Sequence, residues 1–397
     1  MVAPGVYQLG LGCTWRDCCR EGPALGIDRY FIQSLADVDE ARWQENLGKH
    51  PGGCYLQSSL YACFEEQARK YTTPWFLSTC GGTILLVLSQ FQGEDLLSEH
   101  TGGEAVTRLA ALMLRRLTWC HGPLCAAGSS LDDIVATLDA VDELARRCRA
   151  YMVSNVSPPI HGSEEQWQDY HELFLAHGYE SRQHATVHLR LKDCTKDDLW
   201  SRLSSEARRK VRKARQQGIT VTTVNSQDDV NTYYRVKAES HARSGVPPVP
   251  LRVFRATFNS QPRDVYRMMI TWHKGNPISA QSFSCVNGIV MLEGVCTSNY
   301  AIENSIYGND FMQWHVIELA YDLGARVIDW VGYTLEPTTR KERGINEYKL
   351  KWGGEVVTYP VYSKVYSSWR FRFLGRIRQL LSGRRIAGRK ETDVGWS

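Results

Sequence analysis

The sequence has no long hydrophobic run, and its longest strongly apolar stretch covers only residues 83–88. A membrane-spanning helix needs about 20 apolar residues in succession, so no such span is expected. Residues 1–11 also lack the basic segment and apolar stretch that are typical of a secretory signal. We therefore expect a cytoplasmic protein.

Several catalytic motifs are missing as well. The chain contains no GxxxxGK(S/T) phosphate loop, no GxSxG nucleophile elbow and no HExxH metal-binding pair. These absences argue against a P-loop nucleotide hydrolase, an α/β-hydrolase and a zinc protease of the HExxH type.

Paired CxxC motifs are also absent, although the chain has 12 cysteines. The only local clusters lie at residues 13–19 and 120–125, and neither has the spacing of a zinc site. In a cytoplasmic protein, isolated cysteines mostly act as small core residues. His184 and His188 are four apart, but their segment alternates like a strand. No metal site is predicted.

The composition is that of a folded protein, with 43% hydrophobic, 23% charged and 11% aromatic residues. A chain of 397 residues is too long for one ordinary core, so two domains are expected. The net charge of +4 is mild. The distribution of charge is therefore more informative than its sum.

The pattern of elements appears twice along the chain. Residues 39–156 and 164–331 each run helix–helix–strands–helix–strand, which predicts a mixed α/β fold used twice. Asn287-Gly288 between two apolar runs is a strong hairpin signal. Residues 1–26 show no clear period and are expected to form a loose leader.

A basic helix is predicted at residues 204–215. Arg208, Arg212 and Arg215 share one face of it, and like charges at that spacing repel one another. Phosphates of RNA or of a phosphorylated substrate would relieve the repulsion. The alternative is a solvated helix with glutamate partners elsewhere in the chain.

The C-terminal tail, residues 369–397, is also basic. Eight arginine and lysine residues between residues 370 and 390 alternate with an apolar helical stripe. Such a segment can dock its stripe on the protein body, follow an RNA backbone or lie on an anionic membrane. Peripheral membrane contact through the tail is therefore one of three alternatives.

The most informative run is Tyr348-Lys349-Leu350-Lys351-Trp352-Gly353-Gly354. A cation beside a tight glycine bend can stabilise an oxygen that gains negative charge during acyl transfer. The alternative is two solvated lysines before an ordinary turn.

A set of motifs in a fixed order resembles the Fem aminoacyltransferases, which build peptide side bridges from aminoacyl-tRNA. The family usually has Phe-Lys-x-x-Phe-Gly where this chain has Tyr-Lys-x-x-Trp-Gly. The matching segments, in chain order, are Tyr55-Leu56-Gln57-Ser58 with Tyr61, His121-Gly122-Pro123, and residues 207–214, 218–221, 275–280, 324–329 and 348–354.

The resemblance implies two tandem GNAT-like domains, with the last strands returning to the first domain and no coiled-coil arm. Residues 27–156 with about 357–368 would form the first domain, and residues 157–356 the second. Aminoacyl-tRNA would be the co-substrate, and no cofactor is implied.

The resemblance also suggests catalytic residues. Lys349 matches the family lysine thought to stabilise the tetrahedral oxyanion, and Lys351 is the fallback if the aromatic frame shifts by two residues. Asp329, at a strand end, is expected to orient the amine, with a structural turn residue as the alternative. The expected substrate- or tRNA-binding residues are Arg208, Arg212, Arg215, Tyr348, Trp352 and Gln57.

The function implied is transfer of an amino acid from aminoacyl-tRNA to an acceptor amine. Where the family often has a phosphate-binding lysine after Gln-Ser, this chain has Phe64, Glu65 and Glu66. The acceptor is therefore either a cell-wall precursor or an amine-bearing, peptide-like natural-product intermediate. The alternative enzyme is a GNAT-like N-acyltransferase using acyl-CoA or an acyl carrier protein. Another alternative is a non-catalytic protein that binds RNA or membranes.

Overall fold

The computed structural model describes four stretches of the chain, residues 29–91, 104–126, 129–161 and 164–373. The predicted leader lies outside the described residues, as does the predicted tail from residue 374 onwards. Within the four stretches, no helix combines the length and the apolar character that crossing a membrane requires.

The first half of the chain alternates helices and short strands. The two aspartates that follow Ser130 suit the start of a helix, and the backbone N–H of Ser130 donates to the Asp133 carboxylate at 3.1 Å. The elements are β1 (Tyr30–Ser34), α1 (Glu40–Lys49), α2 (Ser59–Ala68), β2 (Thr73–Thr79), β3 (Ile84–Gln90), α3 (Glu104–Met113), β4 (Arg116–Thr118), α4 (Leu131–Cys148) and β5 (Met152–Val156).

The second half repeats this succession. Asn287 and Gly288 both have positive φ, 49° and 70°, and close the predicted hairpin between two antiparallel strands. The elements are α5 (Glu164–Ala176), β6 (Glu180–Arg190), α6 (Lys196–Arg202), α7 (Ser205–Gln216), β7 (Thr220–Thr223), α8 (Gln227–Ser244), α9 (Leu251–Ser260), β8 (Tyr266–His273), β9 (Asn276–Val286), β10 (Ile289–Leu292), β11 (Cys296–Thr297), α10 (Asn299–Glu303), α11 (Gly308–Asp322), β12 (Val327–Asp329), α12 (Arg340–Leu350) and β13 (Glu355–Val365).

The strands form one continuous sheet in the order β1-β2-β3-β4-β5-β13-β6-β12-β10-β9-β8-β7, with β11 beside β9. Each half contains one parallel pair, β4 with β5 and β10 with β12. The other neighbours in the order are antiparallel. The predicted mixed α/β fold, used twice, is confirmed.

One strand of the second half returns to the first half. β6 follows β5 in the chain but pairs with β12 of the second half. β13 follows β12 but returns to pair with β5, and it also runs along β6 over Glu355–Ser363. The expected return of the last strand to the first half is therefore confirmed. The longest described helices, α4 and α8, have 18 residues each, which is too short for a coiled-coil arm.

Packing around the junction of the halves positions the candidate site. One apolar cluster packs α6, α7 and α11 against β6, β10 and β12, and Trp352 lies within it. Asn287 connects the halves directly, because its side-chain amide donates to the carbonyls of Leu47 at 2.8 Å and Gly53 at 3.1 Å. The end of β12, α12 and the start of β13 are packed against the apolar cluster through Trp330, Tyr348 and Trp352.

Candidate active site at Lys349

Lys349 lies in the last turn of α12. The helix begins with a capping box, in which the Thr339 hydroxyl accepts from the backbone N–H of Glu342 at 3.1 Å. The chain then turns sharply at Gly353, whose φ of 84° favours glycine. Lys349 is thus placed between a well-capped helix and the bend that leads into β13.

The Lys349 ammonium group donates to two backbone carbonyls. One is that of Val331, at 2.8 Å, and the other is that of Gly332. Burial lowers the pKa of Lys349 to about 8, although the charge of Asp329 opposes this shift. The amine is therefore held in place and titrates close to physiological pH.

The two carbonyls belong to an unusual turn. Val331 has φ of 47° and Gly332 has φ of 82°. Positive φ is strained for a β-branched residue, and such strain is concentrated at functional sites. The turn directs two successive carbonyl oxygens at one lysine.

Asp329 stabilises this turn. Its Oδ1 accepts from the backbone N–H of Val331 at 2.8 Å and from the Thr186 hydroxyl, while its Oδ2 lies 2.8 Å from His161 Nε2. Only 1% of Asp329 is exposed. These contacts favour the alternative expected from the sequence, a structural turn residue, and the orientation of an amine by Asp329 stays a prediction. Asp329 positions the carbonyls that hold Lys349.

Three buried histidines surround Asp329, and sequence analysis missed their association. The rings of His161 and His188 stack with their centres 5.2 Å apart, and the rings of His121 and His161 meet edge-on at 4.7 Å. Burial lowers the pKa of His161, and that of His121 to about 3. Burial alone would raise the pKa of Asp329, but the neighbouring His188 and His161 hold it well below its usual range.

The fallback catalytic residue, Lys351, has a structural partner instead. Its ammonium group forms an ion pair with the Asp310 carboxylate in the first turn of α11. It also lies over the rings of Tyr348 at 4.2 Å and Trp352 at 5.1 Å. Lys351 therefore neutralises Asp310, and its role as the fallback catalytic residue stays a prediction.

This assignment predicts the effect of Lys351→Met. The variant leaves the Asp310 carboxylate unpaired and nearly buried, which we expect to cost about 3 kcal/mol of unfolding free energy. Lys351→Met combined with Asp310→Asn recovers part of the loss. The control is Lys196→Met, which removes the exposed ion pair with Asp322 and costs less than about 1 kcal/mol. Urea denaturation measures the free energy of unfolding of these three variants and of the wild type. Equal losses in Lys351→Met and Lys196→Met would contradict the assignment.

Two of the expected substrate-binding residues are buried, and their contact with a substrate stays a prediction. Trp352 is fully buried in the apolar cluster, so its ring has no exposed surface. Gln57 is equally buried, and its side-chain amide forms hydrogen bonds with two backbone segments. It accepts from the N–H of Leu86 at 2.8 Å and donates to the carbonyl of Cys120 at 2.7 Å. Gln57 thus fixes the loop that carries His121.

Tyr348 is only partly buried. Its hydroxyl donates to the carbonyl of Asn309 at 3.3 Å, and its ring meets Trp352 edge-on with the centres 6.0 Å apart. It therefore connects α12 with the first turn of α11. Its expected role in substrate binding stays a prediction.

The predicted basic helix is α7, and much of its charge is already partnered. Nη1 of Arg208 donates to the carbonyls of Ser201 and Leu203, at 2.8 Å each, at the end of α6. Arg212 and Arg215 lie over the Trp200 ring at 5.5 and 5.8 Å, and Arg215 also contacts Glu318 at 3.3 Å.

These contacts favour a structural role for Arg208, while Arg212 and Arg215 remain exposed. The N-terminus of α7 adjoins the candidate site, because the N–H of Ser204 donates to the carbonyl of Lys351 at 2.9 Å. Phosphate binding by α7 therefore remains a prediction.

Comparisons with known proteins agree with this architecture. A family model described as an acetyltransferase (GNAT) domain matches residues 201–350. This match supports acyltransferase activity. No curated protein sequence matches the chain.

Among solved structures, FemX has 12% sequence identity and a TM-score of 0.68, covering 87% of this chain and 99% of its own. L-PGS from Bacillus licheniformis has 13% identity and a TM-score of 0.50, covering 91% and 99%. A conserved protein of unknown function from Bacteroides thetaiotaomicron has 12% identity and a TM-score of 0.52, covering 85% and 100%. At these identities the likeness shows the fold, which is the Fem-like fold expected from the sequence.

Proposed function

We propose that this protein forms amide bonds by moving an amino acid from aminoacyl-tRNA to an acceptor amine. The proposal is supported by the ordered Fem-like motifs, by the fold shared with FemX and by the acetyltransferase-domain match. The observation that carries it is the Lys349 ammonium group, which the Val331 and Gly332 carbonyls hold at the expected catalytic position.

The geometry of Lys349 suits an oxyanion partner. A lysine ammonium group has three N–H donors, and two of them are used by the carbonyls of Val331 and Gly332. Among the described residues the third has no hydrogen-bond partner. Because the two carbonyls fix the nitrogen, the remaining donor is oriented before the substrate arrives. Pre-oriented donors of this kind stabilise charge that develops in the transition state.

The reaction needs little more than this donor. The ester of aminoacyl-tRNA is already activated, so the enzyme chiefly orients two substrates and stabilises the tetrahedral oxyanion. The amine nitrogen forms the new C–N bond and loses a proton, while the C–O ester bond breaks and the ribose oxygen gains a proton. No covalent intermediate on the protein is required, in agreement with the missing nucleophile motifs.

The alternative is an N-acyltransferase that uses acyl-CoA, and the GNAT-domain match is the observation that favours it. Such an enzyme needs a pyrophosphate-binding loop before a helix, and the N-terminus of α11 is the corresponding place. There, Asp310 already supplies a negative charge to the first turn and pairs with Lys351. A second anion is therefore less favoured at this end.

Ribonuclease sensitivity separates the two activities. We expect product from a mixed aminoacyl-tRNA pool and a panel of amine acceptors, detected by mass spectrometry. Digestion of the tRNA should abolish the product, because it cuts the tRNA body away from the aminoacylated 3′ end and so destroys the intact donor. Uncharged tRNA with free amino acids is the control. Transfer that survives complete digestion and depends on acyl-CoA would refute the proposal and favour the alternative.

A further inference from the structure

Three imidazoles and one carboxylate meet in the interior of the fold. Their segments are far apart in the sequence: His121 follows β4, His161 follows β5, His188 lies on β6 and Asp329 ends β12. Each of the four residues is less than 8% exposed. The two halves of the sheet meet where β13 lies between β5 and β6, so the cluster is formed by residues from both halves.

The donor atoms of three of the four residues lie close together, and the fourth residue, His188, approaches the shared carboxylate. One atom each from His121, His161 and Asp329 lies within 4.8 Å of the other two. Nε2 of His188 is 3.5 Å from Oδ2 of Asp329, the same oxygen that His161 Nε2 approaches at 2.8 Å. Two ligands at tetrahedral zinc, with bonds of about 2.0–2.1 Å, are separated by roughly 3.3 Å. Small side-chain movements therefore suffice to place an ion among these atoms.

Hydrogen bonding among the described residues leaves part of the cluster unsatisfied. Nε2 of His188 and Nδ1 of His161 are buried and have no hydrogen-bond partner. Unpaired polar atoms and isolated charges are costly in a protein interior, and buried charges are normally paired or coordinate metals. A cation between the imidazoles and Oδ2 would satisfy His188 Nε2 and compensate the Asp329 charge.

The surroundings of the carboxylate match what metal ligands require. Oδ1 of Asp329 is occupied by the N–H of Val331 and the Thr186 hydroxyl, so only Oδ2 faces the imidazoles. On the other side, Nδ1 of His121 lies 3.4 Å from the Ser157 hydroxyl. Such outer contacts fix the tautomer and the orientation of the ligands around a metal.

We propose that His121, His161, His188 and Asp329 bind one divalent transition-metal ion, with zinc as the best fit to three nitrogen donors and one oxygen donor. The donor chemistry and the number of ligands are those of a tetrahedral zinc site. All four positions are filled by protein, so the site is structural and contacts no substrate. It locks Asp329 and, through it, the Val331–Gly332 turn.

The proposal is independent of the reaction proposed above and departs from the expectation that the chain has no metal site. Sequence spacing does not reveal the ligands, because each comes from a different segment. Its test therefore uses metal binding as the readout, and aminoacyl transfer is not needed.

The experiment starts from the full chain, stripped with a chelator and then titrated with Co²⁺. We expect a saturable visible absorption typical of tetrahedral cobalt with nitrogen and oxygen ligands, at one Co²⁺ per chain. Zn²⁺ should displace the cobalt, and zinc should raise the melting temperature of the stripped protein. Elemental analysis of protein purified from zinc-supplemented cells should give one zinc per chain.

Variants locate the ion. His161→Gln and His188→Gln should each weaken Co²⁺ binding at least about 10-fold, because even the loss of an outer partner of a ligand costs about 10–100-fold in affinity. The matched control is His177→Gln, which removes a partly buried histidine that lies 3.7 Å from Asp139, outside the cluster, and it should bind like the wild type.

Two results would overturn the proposal. One is stripped wild-type protein that is folded but neither binds Co²⁺ stoichiometrically nor gains thermal stability with zinc. The other is binding with the intense near-ultraviolet absorption of cobalt–thiolate bonds, because that would place the metal on cysteines. Unfolding of a variant does not affect either test, since both use the wild-type chain.

Discussion

Replacing Lys349 with methionine lowers kcat for aminoacyl transfer by about 10²–10³-fold, the usual effect of losing one oxyanion donor. Methionine keeps much of the length of the side chain but donates no hydrogen bond to the developing oxyanion. The KM for aminoacyl-tRNA should change little, because the donor acts chiefly in the transition state. Steady-state kinetics with purified aminoacyl-tRNA measures both constants.

Lys341→Met is the matched control, since it makes the same substitution in the exposed first turn of α12. It should retain the wild-type kcat. Circular dichroism and thermal melting establish that both variants are folded. A folded Lys349→Met protein with near wild-type kcat would show that this lysine is not the oxyanion partner.

The pH dependence distinguishes a hydrogen-bond donor from a general base. The pKa of Lys349 is lowered by burial to about 8. As a donor, Lys349 must be protonated, so its contribution is complete below pH 8 and is lost as the pH rises through this value. As a general base, Lys349 must be deprotonated, so its contribution to the rate would increase as the pH rises through this value. Since the acceptor amine titrates too, the informative quantity is the ratio of wild-type to Lys349→Met rates. We expect the ratio to fall from pH 7 to pH 9.

The second large effect concerns stability. Trp352→Ala should lower the free energy of unfolding by about 3–5 kcal/mol, the range for removing a buried aromatic side chain. Trp352 has no exposed surface, and its ring lies in the cluster that joins α7 and α11 to the sheet. Trp352→Phe should cost less because it leaves a smaller cavity. Guanidinium denaturation at constant pH measures both variants.

An exposed tryptophan provides the comparison. Trp369 is 58% exposed, so Trp369→Ala should change stability by less than about 1 kcal/mol. If Trp352 instead contacted substrate, Trp352→Ala would raise KM while leaving the unfolding midpoint unchanged. That outcome would contradict the buried position.

Much of the fold could be predicted from the sequence because its signals are local. Apolar runs, glycine turns such as Asn287-Gly288 and capping residues such as Ser130 act within a few positions. Repetition of the same succession of elements indicated two similar halves. The return of β13 to the first half was inferred from resemblance, because no local pattern shows which distant strand β13 will join.

The candidate site was predictable only in part. Lys349 and Lys351 are two residues apart at a helix end, so their side chains point in different directions and find different partners. Motif position alone does not reveal that difference, nor that Trp352 faces inward. The partners of Asp329 could not be predicted because they are distant in the sequence. His161 is 168 residues away in the chain, and only the sheet order brings the two together.

The returning strand β13 also sets the order of events during synthesis on the ribosome. The first half lacks its closing strand until β13, residues Glu355–Val365, has emerged, although its other five strands are complete by Val156. Domains usually fold as units from the N-terminus while translation proceeds. One edge of β5 therefore stays unpaired from the synthesis of Val156 to that of Val365, which is more than half of the chain. Nascent chains are therefore exposed to edge-to-edge aggregation during this interval, and a chaperone that shields β5 would have its greatest effect then.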